Sequence, residues 1–309
     1  MKSRSSLNFE FQMLGTLKTL AEAYEQISVI RIQRVRGSVL NTRDFLEGLA
    51  EIFNDVKASY KDQVEALIKK HKNSKETISG LRKNGKTIAI LIASNNKLYG
   101  DIVFRIFNLF LKDVEAKNYD VAIIGRLGKN MYEHQRPGKP FLYFDVPDEN
   151  VQLDSILPII KEIINYQKIL VYYGHFLNIV TQEPAISEVL GDTSILESAE
   201  TNKTEKHKIF YFEPSLEEIL EFFQAQLFTS VMKQIVDESE LSRLASRIKS
   251  MEDSLSTIEK EEDVLKKNEI RAKRLSENSK QIQRLSGAVW SQRHTAQLSR
   301  LRLWKQRGL

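Results

Sequence analysis

The residues that could bind a phosphate group lie together near the middle of the chain. Gly125, Gly128 and Lys129 stand in the segment GRLGKN, which has the glycines and the lysine of a phosphate-binding loop. That loop requires four residues between its two glycines and a Ser or Thr directly after the lysine. The segment meets neither requirement, and we interpret it as a turn between a strand and a helix.

The other residue types that carry out catalysis or bind metals show no useful arrangement. The chain has no cysteine, which excludes disulfides, a catalytic thiolate and cysteine-bound zinc and is typical of a reducing compartment. The histidines, which show no metal-ligand spacing, are His71, His134, His175, His207 and His294. We interpret His175, in an apolar stretch, as a hydrogen-bonded core residue. We find no nucleophile, acid–base pair or metal cluster, and expect that the chain alone catalyses nothing and needs no cofactor.

Charge and hydropathy leave the class of partner open. The 309 residues include 46 Lys and Arg against 41 Asp and Glu, a net charge of +5, and the pI is near 9.1. This excess alone does not indicate nucleic acid as a partner. No apolar run approaches the roughly 18 residues needed to span a bilayer, and the N-terminus has no signal-peptide core. We expect a soluble protein that could be attached to a membrane-bound machine.

A long helix dominates the elements that must position these residues. From Leu216 to Ser286 there is no proline or glycine and apolar residues recur at helical spacing, which predicts one helix of roughly 105 Å. Ser215, with Glu217 and Glu218 after it, is predicted to cap its start. Six apolar residues that alternate steps of three and four form a predicted coiled-coil seam: Leu241, Leu244, Ile248, Met251, Leu255 and Ile258.

The partner for this seam is expected at the other end of the chain. A helical element from about Phe9 to Tyr60 carries two apolar stripes with Gly37 between them. Gly37 marks either a break in phase or a glycine tolerated inside one helix at a cost of about 1 kcal/mol. The stripes are Leu14, Leu17, Ala21 and Tyr24, then Phe45, Leu49, Ile52, Val56 and Tyr60. The two terminal helices would form an antiparallel coiled coil, with the central residues as a domain at one end.

The central residues are predicted to form a small α/β sheet domain. A polar, lysine-rich connection at 61–86 is expected to be mobile, and Thr87–Ala93 has the continuous apolar character of a buried strand. A helix at Asp101–Ala116 and a strand at Asp120–Ile124 follow, and such a unit makes a right-handed crossover between parallel strands. The remaining predictions are a strand at Phe141–Phe144, a helix at Gln152–Tyr166, a strand or hairpin at Lys168–Val180, a loop at Glu183–Glu200 and a strand at Lys206–Phe212.

Several of these segments resemble the gamma subunit of F-type ATP synthases, in the same order along the chain. The family's first buried strand ends in Ser-Asp-Arg-Gly-Leu-Cys-Gly, where this chain has Ser94–Gly100. Its next strand ends in Ile-Gly-x-Lys-Gly, where this chain has Ile124–Gly128. Its asparagine-rich strand with Gln-x-Pro resembles Phe176–Pro184, its Ala-Arg-Met-x-Ala-Met is similar to Ser246–Met251, and its closing Ser-Gly-Ala falls on Ser286–Ala288. The resemblance covers about residues 10–289.

The resemblance implies a fold and a role. The fold would be α/β, a long antiparallel coiled coil of the N- and C-terminal helices with a central Rossmann-like α/β sheet domain. The segments would be a shaft helix at 1–60, the connection at 61–86, the sheet domain at 87–214, a second shaft helix at 215–289 and a basic tail at 290–309. The chain would be the non-catalytic rotating shaft of a proton-translocating F-type ATP synthase, coupling ion-driven rotation to ATP synthesis.

The same resemblance implies the partners. They would be the alpha and beta subunits of a catalytic hexameric ring, an epsilon subunit and the membrane c-ring, with one copy of this chain per complex and no nucleic acid. The complex would lie at the cytoplasmic face of a bacterial plasma membrane, with this chain attached peripherally.

The resemblance also implies which residues face the ring, although a solvated helix face is the alternative for all of them. The family's Asn-Lys-x-Arg-Gln run falls on Ile270–Arg274, where the positive charge is kept without the amides. Its later Thr and Glu fall on Asn278 and Lys280, and the Glu before Ala-Arg-Met falls on Arg243. The candidate ring-contact residues are Arg31, Arg34, Arg36, Arg243, Arg247, Met251, Arg271, Lys273, Arg274, Asn278 and Lys280.

Other interpretations stay open at the level of the sequence. The chain could be the shaft of a related hydrolytic rotary ATPase, or a coiled-coil scaffold or tether with an α/β recognition domain, and nucleic-acid binding is a weaker third hypothesis. In the tail, Leu298, Leu301 and Trp304 repeat at helical spacing among basic residues, which predicts an amphipathic helix after Gly287. That tail would be a solvated terminus, an extension of the shaft tip into the ring's apolar collar, or a membrane-surface segment.

Overall fold

The structure is a computed structural model that describes residues 4–60, 84–189 and 215–306. The chain divides into two compact units. The first consists of Met1–Ala23 with Asp253–Leu309, and the second of Tyr24–Glu252. Two long helices contribute residues to both units, and the sheet lies in the second.

Helix α1 (Arg4–Ser59) is one uninterrupted helix of 56 residues. Of the two alternatives at Gly37, the structure shows a glycine tolerated inside the helix, at a cost of about 1 kcal/mol relative to alanine. Leu17, Phe45 and Ile52 of the predicted stripes are exposed, because they lie off the line that is buried. The buried residues of that line recur at seven-residue spacing, as in a coiled coil, except that Thr42 is half-buried. They are Leu7, Leu14, Ala21, Ser28, Val35, Leu49 and Val56.

The second long helix, α5 (Leu216–Gln306), contains 91 residues and continues through Gly287. Its first turn is capped as predicted, since the backbone N–H of Glu218 donates to the Ser215 hydroxyl at 3.2 Å. Of the predicted seam, Met251 and Leu255 are half-buried. The other members are buried: Leu241, Leu244, Ile248 and Ile258.

The two long helices pack against each other within each unit. In the second unit, the rings of Phe53 and Phe223 meet edge to face with centroids 5.9 Å apart. Earlier in α1, Val35 shares a core with Leu241 and its neighbours, so the two helices run antiparallel. In the first unit, Lys18 Nζ lies 3.1 Å from Glu259 Oε1. The predicted antiparallel coiled coil is confirmed.

The central sheet has five strands in the order β3-β2-β1-β4-β5. The strands β1 (Thr87–Ile92), β2 (Asp120–Ile124), β3 (Leu142–Phe144) and β4 (Lys168–Phe176) are parallel, and β5 (Gln182–Val189) pairs antiparallel with β4. The connecting helices are α2 (Ile102–Ala116), α3 (Arg126–Gln135) and α4 (Leu153–Ile163). The predicted β-α-β unit and the α/β sheet domain are therefore confirmed.

Alternate residues of β1, β2 and β4 face two separate cores. Leu91 and Tyr172 face the core that contains α2 and Leu244 of α5, whereas Ile90 and Val171 face the core that contains α4 and Met232 of α5. Helix α5 thus covers one face of the sheet with the turns around Met232 and the other face with the turns around Leu244. Between these turns it must cross an edge of the sheet.

The predicted loop at Glu183–Glu200 is wrong over its first seven residues, which belong to β5. Pro184 suggested a loop because proline cannot donate a ladder hydrogen bond. In the structure it lies opposite Gly174 in an edge strand, where one side of the backbone needs no partner. Residues 61–83 of the predicted connection at 61–86 and the predicted strand at Lys206–Phe212 lie outside the described residues.

Candidate functional site

The carboxyl edge of the parallel strands is where sheets of this kind bind ligands. In such sheets the ligand-binding crevice lies where the strand order reverses. In this sheet the order reverses between β1 and β4. In this chain helix α5 crosses the sheet at that edge. A buried arginine of the helix, Arg243, lies against the residues that follow β1.

Arg243 is 3 % exposed and connects three parts of the second unit. Its Nη1 donates to the carbonyl oxygen of Ala93 at 3.0 Å and to the hydroxyl of Ser239 at 3.1 Å. Its Nη2 donates to the carbonyl oxygen of Asp148 at 3.1 Å. A buried cation requires such acceptors, and the fold supplies them from the segments that follow β1 and β3 and from the preceding turn of α5.

Arg247 lies one helical turn further along and is 4 % exposed. Its Nε donates to the carbonyl oxygen of Leu98 at 2.8 Å, and its Nη1 lies 3.8 Å from Glu149 Oε1. The guanidinium carbon sits 3.9 Å from the centre of the Tyr99 ring, which is a cation–π contact. Burial raises the pKa of the Tyr99 phenol, and the nearby Asp148 carboxylate adds to that rise, so the ring stays neutral.

The Asp148 carboxylate organises the turn after β1. It accepts hydrogen bonds from the backbone N–H groups of Asn95 at 2.6 Å and Asn96 at 3.0 Å, and from the Asn96 amide at 2.9 Å. The Asn95 amide donates to the carbonyl of Val146 at 2.8 Å. These bonds join the turn after β1 to the loop after β3.

The backbone at GRLGKN forms a strand-to-helix turn, as predicted. Gly125 has φ +98°, and a Cβ there would lie 2.8 Å from the carbonyl oxygen of Ser94. The N–H of Arg126 donates to Asn95 Oδ1 at 2.8 Å, and that of Leu127 donates to Ser94 O at 2.8 Å. These are the N–H groups that a phosphate would need, and the chain's own residues use them.

Small residues bring α5 close to the sheet domain. Ser239, Ser242 and Ser246 lie along one buried face of the helix. A Cβ on Gly174 would lie 2.9 Å from the Cβ of Ser242, and one on Gly100 would lie 2.8 Å from the carbonyl oxygen of Ser246. The glycines are therefore required for this approach.

A cleft of about 260 Å³ opens beside the edge, between α1, the loop after β3 and α5. Within it Arg31 pairs with Glu149, Lys233 pairs with Asp237, and Ser38 donates to Asp237 at 3.0 Å. Glu240, also at the cleft, accepts from the N–H of Asn150 at 3.2 Å. Burial raises the pKa of Glu240, whereas that hydrogen bond lowers it.

The eleven predicted contact residues fall into three groups. Arg31 and Arg247 meet at Glu149, and Arg243 is buried one turn away, so these three residues contact their own chain. Met251 is half-buried, and the remaining seven are exposed: Arg34, Arg36, Arg271, Lys273, Arg274, Asn278 and Lys280. That any of them contacts a ring stays a prediction.

Sequence reasoning missed several residues of this edge. Asp148 and Glu149 carried no signal, because a carboxylate in a polar loop resembles any solvated one. Tyr99 was part of the family turn, but nothing indicated that its ring would lie beneath an arginine. His175 contacts Glu238 of α5, and its side chain is 41 % exposed, so it lies nearer the surface than the predicted core position.

The family described as ATP synthase matches residues 11–275 of this chain. The chain belongs to this family. ATP synthase gamma chains of Chloroflexus aurantiacus and Staphylococcus saprophyticus are 22 % and 20 % identical to it, over 80 % and 82 % of this chain and 86 % and 87 % of theirs. The prediction of a divergent gamma subunit, the central stalk of an ATP synthase, is confirmed.

Solved ATP synthase structures share the fold of this gamma subunit. A chain of the rotor of the Euglena gracilis mitochondrial ATP synthase matches 88 % of this chain and 99 % of its own length, with a TM-score of 0.55 at 15 % identity. A chain of the Tetrahymena thermophila central stalk and c-ring matches 76 % and 98 %, with a TM-score of 0.51 at 16 % identity.

Membership of the family makes the chain a subunit of a membrane-associated enzyme complex. Among the described residues, no helix is long and apolar enough to cross a membrane. Within the same residues, no group of three or more His, Cys, Asp or Glu is placed to hold a metal ion.

Proposed function

We propose that this gamma subunit is the non-catalytic rotating shaft of a proton-translocating F-type ATP synthase. The observation that carries the proposal is the position of α5 at the carboxyl edge of the sheet. Arg243 and the serine face of the helix fill the crevice in which such sheets otherwise bind nucleotides. The sheet domain therefore binds a helix of its own chain in the place where such sheets bind a substrate. A shaft requires this kind of attachment between its long helix and its sheet domain.

Coupling in this proposal depends on the shaft's asymmetry. Each orientation of a stiff, asymmetric shaft favours a different conformation of the surrounding subunits, so rotation changes their affinity for nucleotides. The catalytic residues lie in the ring. The exposed positive side chains of α5 at Arg271, Lys273 and Arg274 would pass acidic segments of that ring and contribute directional contacts.

The proposed partners are the alpha and beta subunits of the catalytic hexamer, an epsilon subunit and the c-ring, with one shaft per complex. The sheet domain docks on the c-ring at the cytoplasmic face of a bacterial plasma membrane. Nucleic acid is not a partner. Beyond residue 290, the basic tail lengthens the shaft tip into the ring's collar, and deletion of 291–309 should then loosen assembly or lower torque.

A hydrolytic rotary ATPase is the second candidate function. It is favoured by the exposed Asn278 and Lys280, which stand where the resemblance placed a Thr and a Glu. A changed charge on this face suits different neighbours. Comparison of ATP synthesis and hydrolysis in membrane vesicles that contain the complex separates the two functions.

Purification of a tagged chain from its own cells tests the shaft assignment. We expect one copy of this chain with three pairs of larger ATPase subunits, and mass spectrometry of the intact complex measures this ratio. Homodimers or unrelated partners would instead support the scaffold hypothesis. Salt-sensitive binding to DNA or RNA would contradict the exclusion of nucleic acid.

A further inference from the structure

Two arginines, one helical turn apart, hold α5 on the carboxyl edge of the sheet. Each reaches the same two loops. Arg243 bonds to Ala93 after β1 and to Asp148 after β3, and Arg247 bonds to Leu98 after β1 and pairs with Glu149 after β3. The helix is therefore attached at two successive turns to loops that come from different strands.

The loops are themselves fixed to the sheet. The Asp148 carboxylate binds the backbone N–H groups of Asn95 and Asn96, and Asn95 Oδ1 accepts from the N–H of Arg126 after β2. Beside them, the N–H of Ala93 donates to Ile124 O at 3.0 Å. A force on either arginine thus reaches β1, β2 and β3 through short hydrogen bonds.

The apolar contacts of this helix segment resist rotation less well. Leu241, Leu244 and Ile248 pack in an apolar core, and apolar contact has no preferred direction, so such a face can slide. The hydrogen bonds of the guanidinium groups weaken steeply when they are misaligned. If α5 turned about its axis, it would leave two buried cations without acceptors, which is strongly unfavourable.

We propose that Arg243 and Arg247 form a torsional lock, in which they act as positioning residues that fix the rotational setting of α5 on the sheet domain. The inference rests on the proposed shaft function, since only a rotating shaft needs its mounting to resist twist. The lock makes the sheet domain and α5 turn as one body. Without it, part of each rotation would be lost as slippage at the carboxyl edge.

The test measures torsional stiffness in the assembled complex. Because the chain has no cysteine, a single cysteine at the exposed Glu162 of α4 can carry a probe on the sheet domain while the catalytic ring is fixed to a surface. The variance of the probe angle during pauses in ATP-driven rotation reports the compliance of the shaft. The melting temperature of each complex is measured in parallel.

The main variant changes the two arginines of the lock without removing their positive charges. The double variant Arg243→Lys with Arg247→Lys keeps both positive charges but loses the planar fork, and we expect it to raise the angular variance roughly twofold. Lys249→Gln changes an exposed residue of the same helix and is the matched control, expected to keep the parent variance. A purely structural role would lower the melting temperature of the double variant and leave its variance unchanged, which would overturn the lock.

The outcomes separate the lock from the shaft function. A parent complex that hydrolyses ATP without turning the probe would overturn the shaft function. A parent that turns, with a double variant of equal variance, would overturn the lock alone. If the double variant does not assemble, Glu149→Gln weakens the ion pairs of Arg247 and Arg31 and leaves the hydrogen bonds of Arg243 in place, and it should give a smaller increase in variance. Equality of Glu149→Gln with Lys249→Gln would then overturn the lock.

Discussion

The guanidinium carbon of Arg247 lies 3.9 Å from the centre of the Tyr99 ring. Both side chains are buried, and a desolvated cation–π contact contributes about 2 kcal/mol. We therefore expect Tyr99→Leu to lower the free energy of unfolding by about 2 kcal/mol, measured by urea denaturation with circular dichroism. Tyr99→Phe keeps the ring and is expected to retain most of this contact. Equal losses in the two variants would show that the hydroxyl matters and the ring does not.

The turn after β2 predicts a steric effect. Gly125→Ala combines a φ of +98° with a Cβ that would lie 2.8 Å from the Ser94 carbonyl oxygen, and we expect a loss of about 3 kcal/mol in unfolding free energy. Gly138→Ala is the control, since its φ is +76° and nothing lies within 4 Å of its Cβ. It should lose about 1 kcal/mol from backbone strain alone. The midpoints of thermal unfolding compare the two.

The middle of α5 predicts an effect on assembly. Ile248 is 7 % exposed, and Ile248→Pro removes a helical hydrogen bond and kinks the helix at a cost of about 3 kcal/mol or more. Lys249→Gly, at the exposed neighbour, should cost only about 1 kcal/mol. The yield of assembled complex and its ATP turnover measure both effects. Full assembly and turnover with Ile248→Pro would remove the support for a stiff shaft.

Charge on the exposed face of α5 predicts an effect on coupling. Reversal of Arg271, Lys273 and Arg274 to Glu should weaken the coupling between ATP hydrolysis and rotation, because under the proposed function the new negative charges would repel acidic segments of the ring. The sheet domain should stay folded, since substitutions at exposed positions usually change stability by less than about 0.5 kcal/mol. Single-molecule rotation and circular dichroism measure the two quantities.

A matched reversal on the same helix serves as the control for this charge effect. Changing Lys260, Lys266 and Lys267 to Glu alters the net charge by the same amount at other exposed positions. If both triple variants rotate like the parent, the positive charge near Arg271 only keeps the helix solvated.

The buried Glu240 predicts a pH dependence. Burial raises its pKa above the ordinary value of 4.5, so the folded state binds more protons than the unfolded state above that pH. This contribution to stability is present at low pH and is lost as the pH rises through the folded pKa. Glu240→Gln should remove that part of the slope of unfolding free energy against pH, and urea titrations at several pH values measure it.

The sequence by itself determined the elements that depend on local pattern. The absence of proline and glycine from Leu216 to Ser286 predicted α5 over that range, because helix continuity depends on each residue's own backbone preference. The apolar run at Thr87–Ala93 predicted β1 for the same kind of reason. The short motifs between Ser94 and Met251 occur in the same order as in the family. They indicated the family because each is a contiguous segment of the sequence.

The tertiary structure alone decided what the polar residues do. Nothing near Arg243 in the chain distinguishes it from Arg271, yet the first is buried and the second is exposed. The difference arises because Ala93 and Asp148 bring acceptors to Arg243 from more than 90 residues away. Pro184 likewise belongs to a strand only because β5 lies at the sheet edge. Burial of a charge depends on the acceptors around it in space, and a local pattern contains no information about residues so distant in sequence.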